Sequence, residues 1–225
     1  MSTPTERPSL AMIHTVASLI PVLDTLAQQH LPGWSAFNML DESLLRTTIS
    51  EGRLSQLTMR RLAGLVWSAV DAGANAVVVT CSSLGPAVDA ARPLCPVPLF
   101  RIDEGMALAA VGIGARIGVL ATLSTTLKPT AKLIRRVAVL QGRDCTLTSA
   151  VAEGAFEKLA RGDVAAHDAM VAQSLRAMAL NVDVIVLAQA SMARALVGVR
   201  DELGTLPVLT SPELGMQHLA ASLAG

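Results

Sequence analysis

Cys81 stands at the middle of the stretch Ala76-Val-Val-Val-Thr-Cys-Ser-Ser-Leu-Gly-Pro86, where a run of valines leads into it. The three valines lack polar alternation and are β-branched, which predicts a parallel strand buried on both faces. Ser82 and Ser83 can cap a following helix whose first turn accepts Pro86, placing the thiol at a helix amino-terminus, where thiolate is favoured. A thiolate can remove a proton from an acidic carbon, deliver one, or attack a carbonyl. The competing reading makes Cys81 a small buried hydrophobe. Its place beyond a strand's carboxyl end, where open parallel sheets bind ligands, favours the chemical role.

Other residues can serve such a site. Thr122, Ser124, Thr125 and Thr126 form a hydroxyl-rich turn after Gly118-Val-Leu-Ala. Opening a helix, it would offer hydroxyls and free backbone amides to a carboxylate, with ordinary capping as the alternative. His14 ends the first strand on the side expected for the site, where it could touch ligand or be structural. Asp41 and Glu42 could orient a polar ligand, or lie in a solvated loop with a capping aspartate. Glu153-Gly154 occupies the corresponding region of the second half. Gln189 and Ser191 follow the strand Asp183 to Leu187. Cys95 and Cys145 read as packing or strand residues, and His167-Asp168, within a helix over 165–180, as surface.

The elements that must position these groups alternate. Strands are expected at 10–14, 34–40, 76–80, 97–100, 118–122 and 183–187. Thr15 to Ser18 should turn into a helix ending near Pro32-Gly33, a short helix should follow Cys81, and others should run over about 57–72, 104–111 and 213–223, while Asp41 to Leu45 reads as a polar loop. Repeated strand-helix alternation argues for a parallel α/β sheet. The second half repeats the first: Met12-Ile13-His14-Thr15 matches Val119 to Thr122 at an offset of 107, Thr80-Cys81 matches Ala188-Gln189 at 108, and Gly105-Met106 matches Gly215-Met216 at 110. Internal duplication is the simplest account. The expectation is two similar parallel-sheet α/β domains facing across a cleft, residues 1–108 with 205–225 and residues 109–204.

Composition narrows the function. Of 225 residues 52% are hydrophobic and 16% charged, with Lys+Arg and Asp+Glu balanced at 18 each. No basic face marks a nucleic-acid partner. Three phenylalanines, two tryptophans and no tyrosine leave no stacking platform for bases, so a small polar or carboxylate ligand fits better. The three cysteines lack zinc or disulfide spacing, which suits a reducing, cytoplasmic setting. No signal region is evident in residues 1–9, and no apolar run has membrane-spanning length. Neither a nucleotide fingerprint nor metal-ligand spacing occurs, so a reaction without metal or organic cofactor is expected.

Thr80-Cys81-Ser82-Ser83 and Ile117-Gly-Val-Leu-Ala-Thr-Leu-Ser-Thr-Thr126 resemble the two strand-end motifs of the aspartate/glutamate/hydantoin racemase superfamily, in order and spacing over nearly the whole chain. The resemblance implies cofactor-independent proton transfer beside a carboxylate or carbonyl, with Cys81 catalytic. Substrate binding is expected of His14, Ser82, Ser83, Thr122, Ser124, Thr125, Gln189 and Ser191. Racemases of that family carry a second cysteine at the mirrored strand end, where this chain reads Ala188-Gln189-Ala190-Ser191. Glutamine cannot act as a base near neutral pH. Single-cysteine relatives include the arylmalonate decarboxylases, whose cysteine lies in the second half. The expected function is therefore an isomerase-type proton transfer, with stereospecific decarboxylation or non-catalytic carboxylate binding as alternatives. A homodimer is the expected assembly.

Overall fold

A computed structural model describes residues 7–225. The chain divides into two compact units, Met1–Ile102 with Met216–Gly225, and Asp103–Gly215. The first unit comprises β1 (Ser9–His14), α1 (Ile20–His30), β2 (Ser35–Leu40), α2 (Glu42–Ser50), α3 (Gln56–Asp71), β3 (Ala76–Val79), α4 (Gly85–Ala91) and β4 (Leu99–Arg101). The second holds α5 (Glu104–Ile113), β5 (Arg116–Ala121), α6 (Ser124–Leu140), β6 (Thr146–Val151), α7 (Ala155–Ala160), α8 (Val164–Ala179), β7 (Val184–Leu187), α9 (Arg200–Leu203) and β8 (Val208–Thr210). The last helix, α10 (Ser211–Ala224), begins in the second unit and ends in the first.

Each unit has one four-stranded parallel sheet, ordered β2-β1-β3-β4 and β6-β5-β7-β8. The identical order makes the duplication physical, and it extends to details that the offsets do not show. Asn75 Oδ1 accepts from the amide of Ser9 at the start of β1, and Asp183 Oδ2 accepts from that of Arg116 at the start of β5. All four residues of β3, and all four of β7, are buried. Helices on both faces account for this. In the first sheet Leu10, Met12, Ala76 and Val78 pack against α1 and the later turns of α10. On its other face Ala11, Ile13, Val77 and Val79 meet α2, α3 and α4. Each such valine buried is worth about 1.5–3 kcal/mol.

Three sequence expectations change. Asp41 to Leu45 is not a loop: Glu42–Ser50 is helical, and the Asp41 side chain accepts from the Ser43 amide as its cap. His167 is not on the surface but fully buried in α8, one turn before buried Val171. Ser82 and Ser83 do not occupy helix-cap positions. They lie inside a 3-10 turn, Ser82–Leu84, for which Cys81 is the N-cap residue.

Candidate active site

Cys81 is half-buried, in extended conformation at φ −125° and ψ 110°. The amide of Thr80 still donates to Ile13 O at 3.0 Å, so the ladder with β1 holds the chain up to the residue before the thiol. After Cys81 the backbone turns through buried Ser82 and Ser83 into α4, where Pro86 lies in the first turn. Alternation sends the Thr80 side chain to the α1 face and Cys81 toward the core formed with α2, α3 and α4.

On the α1 face a chain of hydrogen bonds ends at Thr80. His14 is fully buried, with Nε2 2.7 Å from Asn38 Oδ1 and Nδ1 3.0 Å from Thr80 Oγ1. Asn38 Nδ2 in turn donates to Asp24 Oδ1 at 2.9 Å. These bonds fix the tautomer. A carboxylate only accepts, so the Asn38 amide turns its NH2 to Asp24 and its oxygen to His14. His14 must then carry hydrogen on Nε2, and its Nδ1 lone pair accepts the Thr80 hydroxyl proton. Thr80 Oγ1 is also 3.1 Å from Ile13 O. Protonating His14 would make Nδ1 a donor and release the hydroxyl proton toward that carbonyl.

Burial lowers the His14 pKa below 6.5, although the bond to Asn38 and the charge of Asp24 oppose the shift. The unfolded chain therefore binds the proton more readily, and stability falls as pH drops below about 6.5 toward the folded-state pKa, by no more than about 1.4 kcal/mol per pH unit, the limit for one proton. Chemical denaturation at pH 7.5, 6.5 and 5.5 should show this loss in the wild type and a flatter profile in His14→Asn. Equal profiles would mean that His14 is not held neutral.

Two ion pairs join elements that pack on the same core as Cys81. Arg61 Nη2 lies 2.7 Å from Asp41 Oδ2 and 2.6 Å from Ser43 Oγ. Partial burial raises the Asp41 pKa, but hydrogen bonds from Ser43 and the Arg61 charge outweigh it and hold the carboxyl below its usual value. Asp41 is thus committed to capping and pairing, and Glu42 is exposed. Arg101 is 3% exposed, pairs with Asp89 Oδ2 at 2.7 Å, and presses on Gly85, where a Cβ would stand 2.2 Å from its Cζ.

In the second unit, Thr122 and Gln189 meet. The Thr122 amide and hydroxyl both donate to Gln189 Oε1, at 2.6 and 3.0 Å. Gln189 stands where Cys81 stands in the first unit, two residues past the equivalent strand. The next turn opens α6, with no side-chain cap. Thr126 and Leu127 donate their amides to Leu123 O, while Ser124 is exposed and Thr125 Oγ1 is buried without a hydrogen-bond partner among the described residues. An uncapped amino end with a spare buried hydroxyl can receive a carboxylate. Ser191 is half-buried in the 3-10 segment Ala190–Leu196, and Glu153 is exposed.

The structure therefore gathers Cys81, Ser82, Ser83 and, through Thr80, His14 at one strand end. It gathers Thr122 and Gln189, with Ser124, Thr125 and Ser191 in the adjoining turns, at the other. Sequence reasoning missed Asp24, Asn38, Arg61, Arg101 and the His167 cluster. In that cluster His167 Nδ1 is 2.6 Å from Asp168 Oδ1, Arg194 closes on Asp168 at 3.3 Å, and His167 Nε2 is buried without a hydrogen-bond partner among the described residues. The described residues contain no group of three or more metal-ligating side chains and no helix long and apolar enough to cross a membrane.

The family model for Asp/Glu/hydantoin racemases matches residues 12–219. The chain belongs to that family. Solved structures agree on the fold of this racemase-family chain. It is similar to a glutamate racemase isoform from Bacillus anthracis, with TM-score 0.72, 18% identity, and coverage of 97% of this chain and 82% of that one. It is similar to the allantoin racemase from Klebsiella pneumoniae at TM-score 0.68 and 17% identity, covering 96% and 87%. Unliganded arylmalonate decarboxylase matches at TM-score 0.57 and 18% identity, covering 97% and 93%. No curated protein matches the chain at a significant level.

Proposed function

We propose that this racemase-family chain is a cytoplasmic, homodimeric isomerase, working without metal or pyridoxal cofactor, in which Cys81 exchanges a proton at the carbon beside a carboxylate or carbonyl of a small substrate. One observation carries the reading: Cys81 is a half-buried thiol one residue past the last hydrogen bond of a fully buried strand, with its backbone held on both sides. A group so held can meet a substrate carbon without first being ordered. Thr122, Ser124 and Thr125, at the uncapped start of α6, are offered as carboxylate ligands. Ser82, Ser83 and Ser191 are offered as polar contacts, and His14 as a positioning residue for Thr80.

Gln189 supports a variant of the family chemistry. Its Oε1 accepts twice from Thr122, which leaves the amide NH2 as a donor. Such a group can stabilise negative charge developing on a substrate oxygen but cannot take a proton from carbon. With one thiol, the proton leaves from and returns to one face, giving exchange without inversion. The second reading, decarboxylation, draws on the same fact: loss of carbon dioxide generates the carbanion without a base, and Cys81 needs only to protonate it. Proton NMR in heavy water over a panel of small carboxylates, amino acids, hydantoins and malonates tests both. Deuterium incorporation with retained configuration supports isomerase-type exchange, carbon dioxide release supports decarboxylation, and inversion would require a second acid beyond Gln189. No reaction with any panel member would overturn the enzymatic reading.

A further inference from the structure

The chain of hydrogen bonds behind Cys81 does not end in the core. Asp24 and Asn38, its outer members, line a cavity of about 370 Å³ between α1 and the edge strand β2. The remaining wall includes Leu10, Leu31, Trp34 and Gln28. The cavity thus joins one carboxylate and one amide to an indole and an aliphatic floor, and its lining contains no arginine or lysine. A carboxylate has room for about four hydrogen bonds, and Asp24 accepts one from Asn38. A cation can satisfy the remainder while lying against the indole face.

We propose that this cavity is a regulatory site for a small organic amine, an ammonium on a short hydrocarbon chain, which acts on Cys81 through Asn38, His14 and Thr80. The ammonium would take Asp24 as its counter-ion, and the alkyl chain would lie on Leu10 and Leu31 beside Trp34. Asp24 then holds the Asn38 amide less firmly, and that amide sets the His14 tautomer. The Thr80 hydroxyl is held by His14 Nδ1 on the face of the sheet opposite the thiol, so the effect on Cys81 passes through the backbone that joins the two residues. The second unit has no such path: Ala121 and Ala188 occupy the places of His14 and Thr80, so the device belongs to the unit that bears Cys81. Only its consequence for catalysis rests on the Cys81 reading. The test reads thiol reactivity rather than turnover, so the two can fail separately.

The chain's two tryptophans make the test direct, because Trp67→Phe leaves Trp34 as the sole indole. n-Butylammonium should change Trp34 fluorescence saturably, whereas n-pentanol, of similar size but uncharged, should not match it. Asp24→Asn should weaken binding about tenfold or more. Ala36→Leu, which narrows the cavity without altering any member of the hydrogen-bonded chain, should weaken it independently. At saturation the rate of Cys81 alkylation by iodoacetamide, followed by peptide mass mapping to separate Cys95 and Cys145, should change about threefold or more, and the change should vanish in Asn38→Ala. Equal response to amine and alcohol, binding unaffected by Asp24→Asn, or amine binding that leaves the Cys81 rate unaltered would each overturn the proposal.

Discussion

Cys81→Ala should lower carbon-bound hydrogen exchange, or carbon dioxide release, by about 10²–10⁴-fold, the range for removing a positioned acid or base, while carboxylate binding stays within a factor of about three. The binding half follows from where the offered carboxylate ligands stand: Thr122, Ser124 and Thr125 belong to the turn between β5 and α6, and the substitution leaves them in place. The kinetic half follows from chemistry, since an alanine methyl has no labile proton. Cys81→Ser separates proton transfer from packing. It keeps the volume nearly constant, but a hydroxyl is far too weak an acid to replace a thiol near neutral pH, so it should fall close to the alanine variant. Exchange rates by NMR in heavy water, alongside ligand titration by chemical shift, give both numbers on one sample. Retention of most activity in both variants would remove Cys81 from the mechanism and leave the family fold to be explained by another acid. Loss of binding together with turnover would instead make the thiol a ligand contact.

How far the sequence reached depends on the kind of signal. Val77 to Val79 announced a strand buried on both faces because three β-branched residues without alternation have few other uses. The offsets near 108 disclosed the duplication because strands set side-chain positions rigidly, and the two sheets share one order. The relay behind Cys81 left no such trace. Asp24 sits on a helix, Asn38 on an edge strand, His14 on an interior strand and Thr80 just past another, so only the folded sheet brings them together. The burial of His167 is not legible because α8 is rich in alanine, and alanine on every face blurs the periodicity that separates inside from outside. Asp41 carried a usable signal, an aspartate two residues before the backbone amide it caps, but Thr47, Thr48 and Ile49 weaken the helical propensity that should have completed it.

Gly85→Ala should destabilise the protein by about 3 kcal/mol, although alanine is the better helix former by about 1 kcal/mol. The backbone does not demand glycine, since φ at Gly85 is −49°, a value any residue adopts in a helix. Space does: an added Cβ would lie 2.2 Å from both Cζ and Nη2 of Arg101 and 2.6 Å from its Nε. An exposed guanidinium would swing aside at little cost. This one is 3% exposed and paired at 2.7 Å with Asp89, itself 24% exposed, so displacement breaks a partly buried charge pair whose cation is in the core. The sequence suggested only a turn at Gly85-Pro86, whereas the fold uses the missing side chain to seat a cation in the core beside the segment that carries Cys81. A double-mutant cycle decides the cause. In an Arg101→Met background, where a flexible thioether can yield, Gly85→Ala should cost less than about 1 kcal/mol, a coupling expected of residues in contact. Urea denaturation of the four proteins measures it. Equal penalties in both backgrounds would show that Gly85 serves something other than Arg101, and a neutral Gly85→Ala in the wild type would show that the guanidinium has room to move.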